Sequence, residues 1–466
     1  MPRAADQVLT VAQMREAEQA LIDAGTSVDA LMQAAGRGAA EWVWRIAAKR
    51  PITVLCGPGN NGGDGYVIAE AIRARGGAVC VVAACDPRTP AATNARALYQ
   101  ADVLGPDADP RGDILVDCLF GSGLTRPLSD AHFALLTRLA ASHGTRIAID
   151  LPSGVDSDSG LALNPNLPSY DLTVALGAWK YAHFLMPAAA KAGAVRLVGI
   201  GVGVLDGAAQ VLRQPRLSAP VADEHKYRRG LLGVVGGDMP GAAALACLAA
   251  QGAGAGYVKM LGAAHGVDRV ELVVDPAPLS LVLEDRRWAA LLVGPGLGRH
   301  DTSQARLKLT LAAGVPGVVD ADALMLLGPD LLAGHRAMLV ATPHEGELVA
   351  LERAFACGSA GSRVDRAKAL AVASGMVIVA KGPDTVIAAP DGRTAFAPRA
   401  SSWLSTAGTG DVLAGTIASR LACGEDGFTA ACQGVWLHGE AARLVGPVFT
   451  ASQLAASVRS AYAACL

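Results

Sequence analysis

ITVLCGPGNNGGDGYVIAEAIRARG, residues 52–76, is the stretch that decides the fold. Ile52–Cys56 is an apolar run of strand length, bounded by Pro51 and Gly57. Glycines and asparagines break the run, and an apolar pattern of helical period follows over Val67–Arg75. Strand, glycine turn and helix in that order open a βα unit. Outward from it, Ala78–Ala83, Ile114–Cys118 and Arg146–Ile149 read as further buried strands, with a helical pattern over Ala131–Ala141. Two helical segments, Val11–Ala24 and Ser27–Ala48, precede the first strand. The alternation predicts an α/β protein with a mostly parallel sheet.

The pattern lapses between Gly207 and Glu224, where Pro215 and Pro220 stand in a stretch without periodicity. Strand-like runs resume at Leu231–Val235, Leu291–Val293, Val315–Val319, Met338–Ala341 and Val377–Ala380. Two domains are therefore expected, over 1–213 and 224–466, joined by a linker at 214–223. The most apolar long stretch, Ala242–Val258, is Gly/Ala-rich and interrupted by Gln251, so it reads as a buried helix plus turn rather than a membrane span.

Composition narrows the function classes. Gly accounts for 54 of 466 residues and aromatics for 4%, which suits many tight βα turns. Forty basic residues against 42 acidic ones, with no basic tract, argue against nucleic acid as the main partner. The nine cysteines include no C-x-x-C pair and no zinc spacing, which points to reduced thiols. MPRAADQVLT lacks the apolar core of a secretory signal, and a cytoplasmic protein without membrane attachment is expected.

The glycine loop, Gly57–Gly65, lets backbone amides approach a phosphate at the start of a helix. Asn60, Asn61 and Asp64 add oxygens suited to a hard monovalent cation or to ribose hydroxyls. Asp86, beyond the next strand, is either a ribose acceptor or a surface-turn residue. DCLFGSGLTRP (Asp117–Pro127) and DLPSGVDSDSG (Asp150–Gly160) also follow strands. Ligands of open α/β sheets bind beyond the carboxyl ends of strands, so the three loops should converge on one crevice. Near the C-terminus, STAGTGDVLAGTIASRLA (Ser405–Ala422) sets Gly408, Thr409 and Gly410 before Asp411 and an apolar helical run. Amides at such a helix start form an anion hole, and the aspartate can take a proton from an attacking hydroxyl.

GPGNNGGDG, DCLFGSGL and DLPSGVD in this order resemble the NAD(P)H-hydrate epimerase domain, over roughly residues 8–205. The resemblance implies a Rossmann-like three-layer α/β/α fold. It implies that Asn60, Asn61, Gly62, Gly63 and Asp64, together with Gly121, Ser122, Gly123, Leu124, Thr125, Arg126 and Pro127, contact the hydrated dinucleotide. Asp150 would be the acid/base residue, and Asn61, Asp117 and Ser153 would hold a potassium ion. Cys118 stands where that family usually has a smaller residue such as Ala.

The second half is similar to the NAD(P)H-hydrate dehydratase domain, a ribokinase-like fold. The resemblance rests on HKYRRG (His225–Gly230), GGDMPGA (Gly236–Ala242), VGPGLG (Val293–Gly298), DADAL (Asp320–Leu324), TPHEGEL (Thr342–Leu348), AKGPDTVIA (Ala380–Ala388) and GTGDVLAG. It implies that Ala242, Gly296 and His344 contact the hydrated dinucleotide. Lys381, Gly382, Pro383, Asp384, Thr385 and Gly410 would hold ADP, with Asp411 as catalytic base. Tyr227 after Lys226, and Trp403 and Leu404 before GTGD, depart from the family pattern.

By this resemblance the protein epimerises the R and S forms of NADHX and NADPHX. It then dehydrates the S form with ADP, releasing AMP and phosphate. Magnesium is expected to arrive with ADP, and a homo-oligomer is expected. Other readings are a ribokinase-like small-molecule kinase fused to a nucleotide-binding domain, or a scaffold that only holds nucleotide.

Overall fold

A computed structural model describes residues 3–262 and 270–466. The chain divides into two compact units, Met1–Gln210 and Val211–Leu466.

In the first unit seven parallel strands form one sheet. From edge to edge the order is Val103–Leu104, Val79–Ala83, Ile52–Cys56, Gly112–Cys118, His143–Ile149, Leu172–Leu176, Ala194–Val198. Successive side chains of a strand point to opposite faces, and both faces are covered. Val54 and Val116 enter one core with Ala39 and Val43 of helix Val28–Ala47 and Ile68 of helix Asn60–Ala74. Leu55 and Leu115 enter the other, beneath Leu135, Leu136 and Leu139 of helix Asp130–Ser142. The strand order turns between Ile52–Cys56 and Gly112–Cys118, so the crevice of the sheet opens between the first two loops read above. A short strand, Gln7–Leu9, pairs parallel with Trp179–Lys180 and antiparallel with the strand Ala209–Val211.

The helix after the glycine loop starts earlier than its apolar periodicity predicts, at Asn60 rather than Val67. Glycine is a poor helix former, but packing overrides propensity here. A Cβ on Gly62 would stand 1.9 Å from the Gly57 carbonyl oxygen, so only glycine lets the turn close this tightly.

In the second unit the order is Val273–Asp275, Tyr257–Leu261, Leu231–Val235, Trp288–Val293, Gly317–Val319, Leu339–Ala341 and Val377–Ala380, all parallel. Val386–Ala388 and Thr394–Phe396 then follow antiparallel. Helices Pro240–Gly252 and Thr409–Ala422 pack on this sheet through Ala243, Cys247, Leu413 and Ile417. The stretch Ala242–Val258 is thus a buried helix and turn, but its end belongs to the strand starting at Tyr257. No helix among the described residues is long and apolar enough to cross a membrane.

The stretch expected to be a linker, 214–223, is partly laid on the second unit. Leu217 is buried, its amide donates to the Cys465 carbonyl, and Gln214 Nε2 donates to the Ala464 carbonyl. An apolar side chain in a Pro-rich segment finds a core to enter, so the segment is docked over that length.

Candidate functional site

In the first unit a cavity of about 510 Å³ opens at the carboxyl ends of the strands, a size typical of small-ligand sites. Asn60, Asn61, Asp64, Gly121, Asp150 and Lys180 are among the residues lining it. Asp150 follows strand His143–Ile149 at φ +66°, a left-handed conformation uncommon outside glycine and stored at functional sites when surroundings enforce it. The enforcement is visible. Its amide donates to the Val174 carbonyl at 2.7 Å, and its Oδ2 accepts from the Ser122 amide at 2.9 Å. Its Oδ1 accepts from Lys180 Nζ at 2.6 Å. Burial pushes the Asp150 carboxyl up, but the Lys180 charge and hydrogen bond, the Ser122 amide and His183 bring it below its ordinary value.

Lys180 and His183 hold Asp150 in place, and sequence reasoning missed both. Lys180 is 1% exposed, and Nζ donates also to the Leu176 carbonyl. An ammonium has three protons, so one remains for the cavity. His183 Nδ1 accepts from the Lys180 amide at 2.9 Å, which leaves Nε2–H to donate to the Asp150 carbonyl at 2.8 Å. Burial first, then the Lys180 charge, pull His183 down to about 4, so the ring is neutral and its tautomer fixed. No local signal marks either residue: Gly177, Ala178 and Trp179 separate Lys180 from the apolar run Leu172–Leu176, so it reads as an ordinary lysine of a strand-end loop.

Asp64 is buried too. Burial, then the charges of Asp150 and Glu18, hold its carboxyl well above its ordinary value against Lys180. Gly62 and Gly63 lie in the first turn of the same helix, whose N-cap, Gly59, supplies no side-chain cap. The first amides of that helix therefore face the loop as an anion site. Asn60 Oδ1 accepts from Thr89 Oγ1 at 2.7 Å. Gly123 and Leu124 line both this cavity and a second one of about 570 Å³, to which Thr125, Arg126 and Pro127 belong.

The three cation candidates sit differently. Both side-chain atoms of Asn61 are buried without a hydrogen-bond partner, which fits an oxygen ligand awaiting a cation. Asp117, fully buried, accepts from the Leu119 and Ser153 amides, Ser153 Oγ at 2.8 Å and the Tyr170 hydroxyl. No cationic side chain pairs with it among the described residues. Burial pushes its carboxyl up against those four bonds. Ser153 Oγ also accepts from the Phe120 amide. An orphaned amide and a buried carboxylate without a counter-charge suit a monovalent cation. No cluster of three His, Cys, Asp or Glu side chains suited to a transition metal exists among the described residues.

In the second unit Asp411 stands in the first turn of helix Thr409–Ala422, after Gly408 at φ +88°. Gly408 provides no side-chain cap, and with the Thr409 amide donating to the Thr406 carbonyl, the Gly410 and Asp411 amides are those left for the expected anion hole. Lys381 reaches it, since a Cβ on Gly410 would lie 3.6 Å from Lys381 Nζ. Lys381 Nζ donates to Asp320 Oδ1 at 2.7 Å and lies 3.8 Å from Glu347 Oε2. Burial pulls this lysine down, but the charges of Asp320 and Glu347 hold it above its ordinary value. Asp411 is pushed up to about 6 by burial and by Asp320, against Lys381. His438 Nε2 donates to the Thr409 carbonyl at 2.9 Å and fixes the turn from behind. Sequence reading singled out neither Asp320, except within DADAL, nor His438.

Gly296 and Ala242 come together: the Met239 amide donates to the Gly296 carbonyl, and a Cβ on Gly296 would meet that of Ala242 at 3.1 Å. His344 is 62% exposed in its side chain and caps helix Glu345–Ala354 through Nδ1 while Glu347 caps back. Gly382 and Thr385 close a turn on one another, and Pro383 lies within it. Asp384 is turned inward, 3.1 Å from Arg363 Nε, so it holds the loop rather than facing outward. Trp403 lies in an exposed turn before the anion hole.

Comparison with known proteins agrees with both halves. Residues 28–182 match the family described as YjeF-related protein N-terminus, and residues 232–462 match NAD(P)H-hydrate dehydratase. The chain is 33% identical to the bifunctional NAD(P)H-hydrate repair enzyme Nnr of Mycobacterium leprae, over 98% of this chain and 99% of that one. To the enzyme of the same description from Gloeobacter violaceus it is 34% identical over 92% of each. Among solved structures it is similar to the ADP/ATP-dependent NAD(P)H-hydrate dehydratase of Bacillus subtilis co-crystallised with ATP/Mg2+. That similarity is 28% identity over 54% of this chain and 95% of that one, with a TM-score of 0.47. Identity sustained over nearly the whole length of both chains decides the matter: the chain belongs to the family of bifunctional NAD(P)H-hydrate repair enzymes.

Proposed function

We propose that the first unit interconverts the R and S hydrates of NADH and NADPH, and that the second dehydrates the S form with ADP. The observation that carries this reading is a repeated one. In each unit a strand-end loop or helix start sets one aspartate beside one lysine and uncapped helix amides: Asp150 with Lys180, and Asp411 with Lys381.

Epimerisation breaks and remakes the bond between carbon 6 and its hydroxyl. A proton is delivered to the hydroxyl, water leaves as the ring nitrogen lone pair forms the iminium, and water adds from the other face. Two carboxyls pushed apart in acidity divide this work. Asp64, held above its ordinary value, donates, and ionised Asp150 takes the proton of the incoming water. The pair resets when that proton returns to Asp64. Lys180 keeps Asp150 ionised, and His183 fixes both. Asn61 and Ser153, with the charge of Asp117, would hold a potassium ion, which supplies a counter-charge for the anionic substrate.

In the second unit Asp411 removes the proton of the hydroxyl, whose oxygen attacks the terminal phosphorus of ADP, and AMP leaves. Loss of phosphate from carbon 6 and of a proton from carbon 5 restores the reduced ring. The Gly410 amide and Lys381 hold the transferring group, and magnesium would arrive on the ADP phosphates. Ala242, Gly296 and His344 would contact the dinucleotide.

The test is incubation of the protein with a single purified epimer, resolved by chromatography, with ADP or ATP added afterwards. Appearance of the second epimer without nucleotide, then loss of both with return of reduced nicotinamide, is expected. No interconversion, or a stable phosphorylated alcohol, overturns the reading.

A further inference from the structure

The second cavity of the first unit is lined by two arginines, of which the epimerase resemblance assigns only Arg126 to the dinucleotide. It adjoins the Asp150 cavity through Phe120, Gly123 and Leu124. Its lining contains two arginines, Arg88 and Arg126, with Ser129 and His132, and no carboxylate. Neither arginine has a carboxylate partner among the described residues. Burial holds His132 below its ordinary value, and the charge of Arg88 acts on it in the same direction.

Arg88 comes from the loop after Val79–Ala83, the strand beside Ile52–Cys56. In dinucleotide-binding sheets the group that reads the adenosine ribose stands at that strand end: an acidic residue for a free 2′-hydroxyl, an arginine for a 2′-phosphate. Both residue types occur in this loop, and the structure separates them. Asp86 has a 93% exposed side chain, pairs with Arg96 at 3.4 Å, and lines neither cavity. Arg88 donates its amide to the Pro58 carbonyl at 2.8 Å, which ties its loop to the glycine loop, and its side chain lines the second cavity. Phe120 and His132, edge to face at 5.4 Å, give that cavity an aromatic wall.

We propose that this cavity is the seat of the 2′-phosphate, with Arg88 and Arg126 as its ligands, so that the first unit prefers hydrated NADPH to hydrated NADH. The proposal rests on the epimerase reading and names which of its two substrates the site selects.

The experiment measures kcat/KM for epimerisation of hydrated NADPH and hydrated NADH by the full chain, its Arg88→Ala, Arg88→Lys and Arg126→Ala variants. Binding of adenosine 2′,5′-bisphosphate and of 5′-AMP is measured beside it by calorimetry. The wild type should favour the phosphorylated substrate. Arg88→Ala and Arg126→Ala should each cut the ratio of the two kcat/KM values by about 5- to 20-fold, as for an exposed charged hydrogen bond. Arg88→Lys should retain more of it. The preference for the bisphosphate should weaken in the same variants and with added salt. A wild-type ratio near one, a ratio unmoved by either alanine, or an equal loss on both substrates overturns the proposal. If the wild type epimerises neither substrate but its bisphosphate preference falls in Arg88→Ala, the anion site stands and the epimerase reading fails instead.

Discussion

Replacing Lys180 by Met removes the cation from a pair that is almost wholly inside the protein, with side-chain exposures of 2% for Lys180 and 9% for Asp150. Methionine roughly keeps the volume of the lysine stem, so the perturbation is mainly electrostatic. Breaking a buried pair from one side costs about 3–5 kcal/mol, because the remaining charge is left in a poorly solvated place. Against a usual domain stability of about 5–15 kcal/mol, this is a large loss. Its pH dependence identifies the cause. In the wild type the Asp150 carboxyl is held below its ordinary value, so it contributes stability at neutral pH that is lost only as pH falls through that lowered value. Without Lys180, burial is unopposed by its largest counterweight and the carboxyl moves above its ordinary value. The group then costs stability at neutral and alkaline pH, and the cost is relieved in acid as it takes a proton. Hydrogen exchange resolved by peptide reads this in the full chain, with the strands of the second unit as internal reference. Protection should fall over 143–198 at pH 8 and recover toward pH 5, and epimerisation should fall by about 10²–10⁴-fold. Unchanged protection at both pH values, with epimerisation within a few-fold of wild type, would refute the reasoning.

Dehydration should lose activity as pH falls through about 6, since Asp411 must be ionised to act and is pushed up to about 6; a pH–rate profile flat from 5 to 8 would count against that role. Asp320→Asn should move this limb to lower pH, because the Asp320 charge is among the causes that raise Asp411, and it should also raise KM for ADP by freeing Lys381. Gly62→Ala should destabilise the first unit by about 1–3 kcal/mol, since its Cβ would be forced 1.9 Å from the Gly57 carbonyl oxygen, and denaturation should show it. Exchange of potassium for lithium in dialysed protein should slow epimerisation and lower the melting temperature of the first unit, leaving dehydration of the S hydrate intact.

Much of the architecture was legible because it rests on local pattern. Ile52–Cys56, Leu231–Val235 and Val377–Ala380 are strands over the limits read from sequence, since each is an apolar run buried on both faces and cut by Gly, Pro or Lys. Ala194–Val198 escaped notice because it is an edge strand, half covered, without a clean apolar run. The start of the Asn60 helix was hidden by its glycines, whose low propensity is overruled by contacts distant in sequence. The site divides in the same way. Asp150 and Asp411 stand out because their glycine-rich surroundings are local. Lys180 and His183 do not, because nothing within a few residues shows that a lysine is buried against an aspartate thirty positions earlier. His344 and Asp384 lie in conspicuous motifs, but that the first also caps a helix and the second contacts Arg363 depends on partners that the motif alone does not name.

Two working carboxylates in two separate units form the central claim, and one absorbance trace tests it. A mixture of both hydrated epimers is supplied with ADP, and return of reduced nicotinamide is followed for the wild type, Asp150→Asn and Asp411→Asn, each shown to be folded. The wild type should consume both epimers rapidly, Asp150→Asn should stall once the S form is spent, and Asp411→Asn should restore none while still interconverting the epimers. Loss of both activities in either folded variant, or full-speed repair of the R form by Asp150→Asn, would contradict the account.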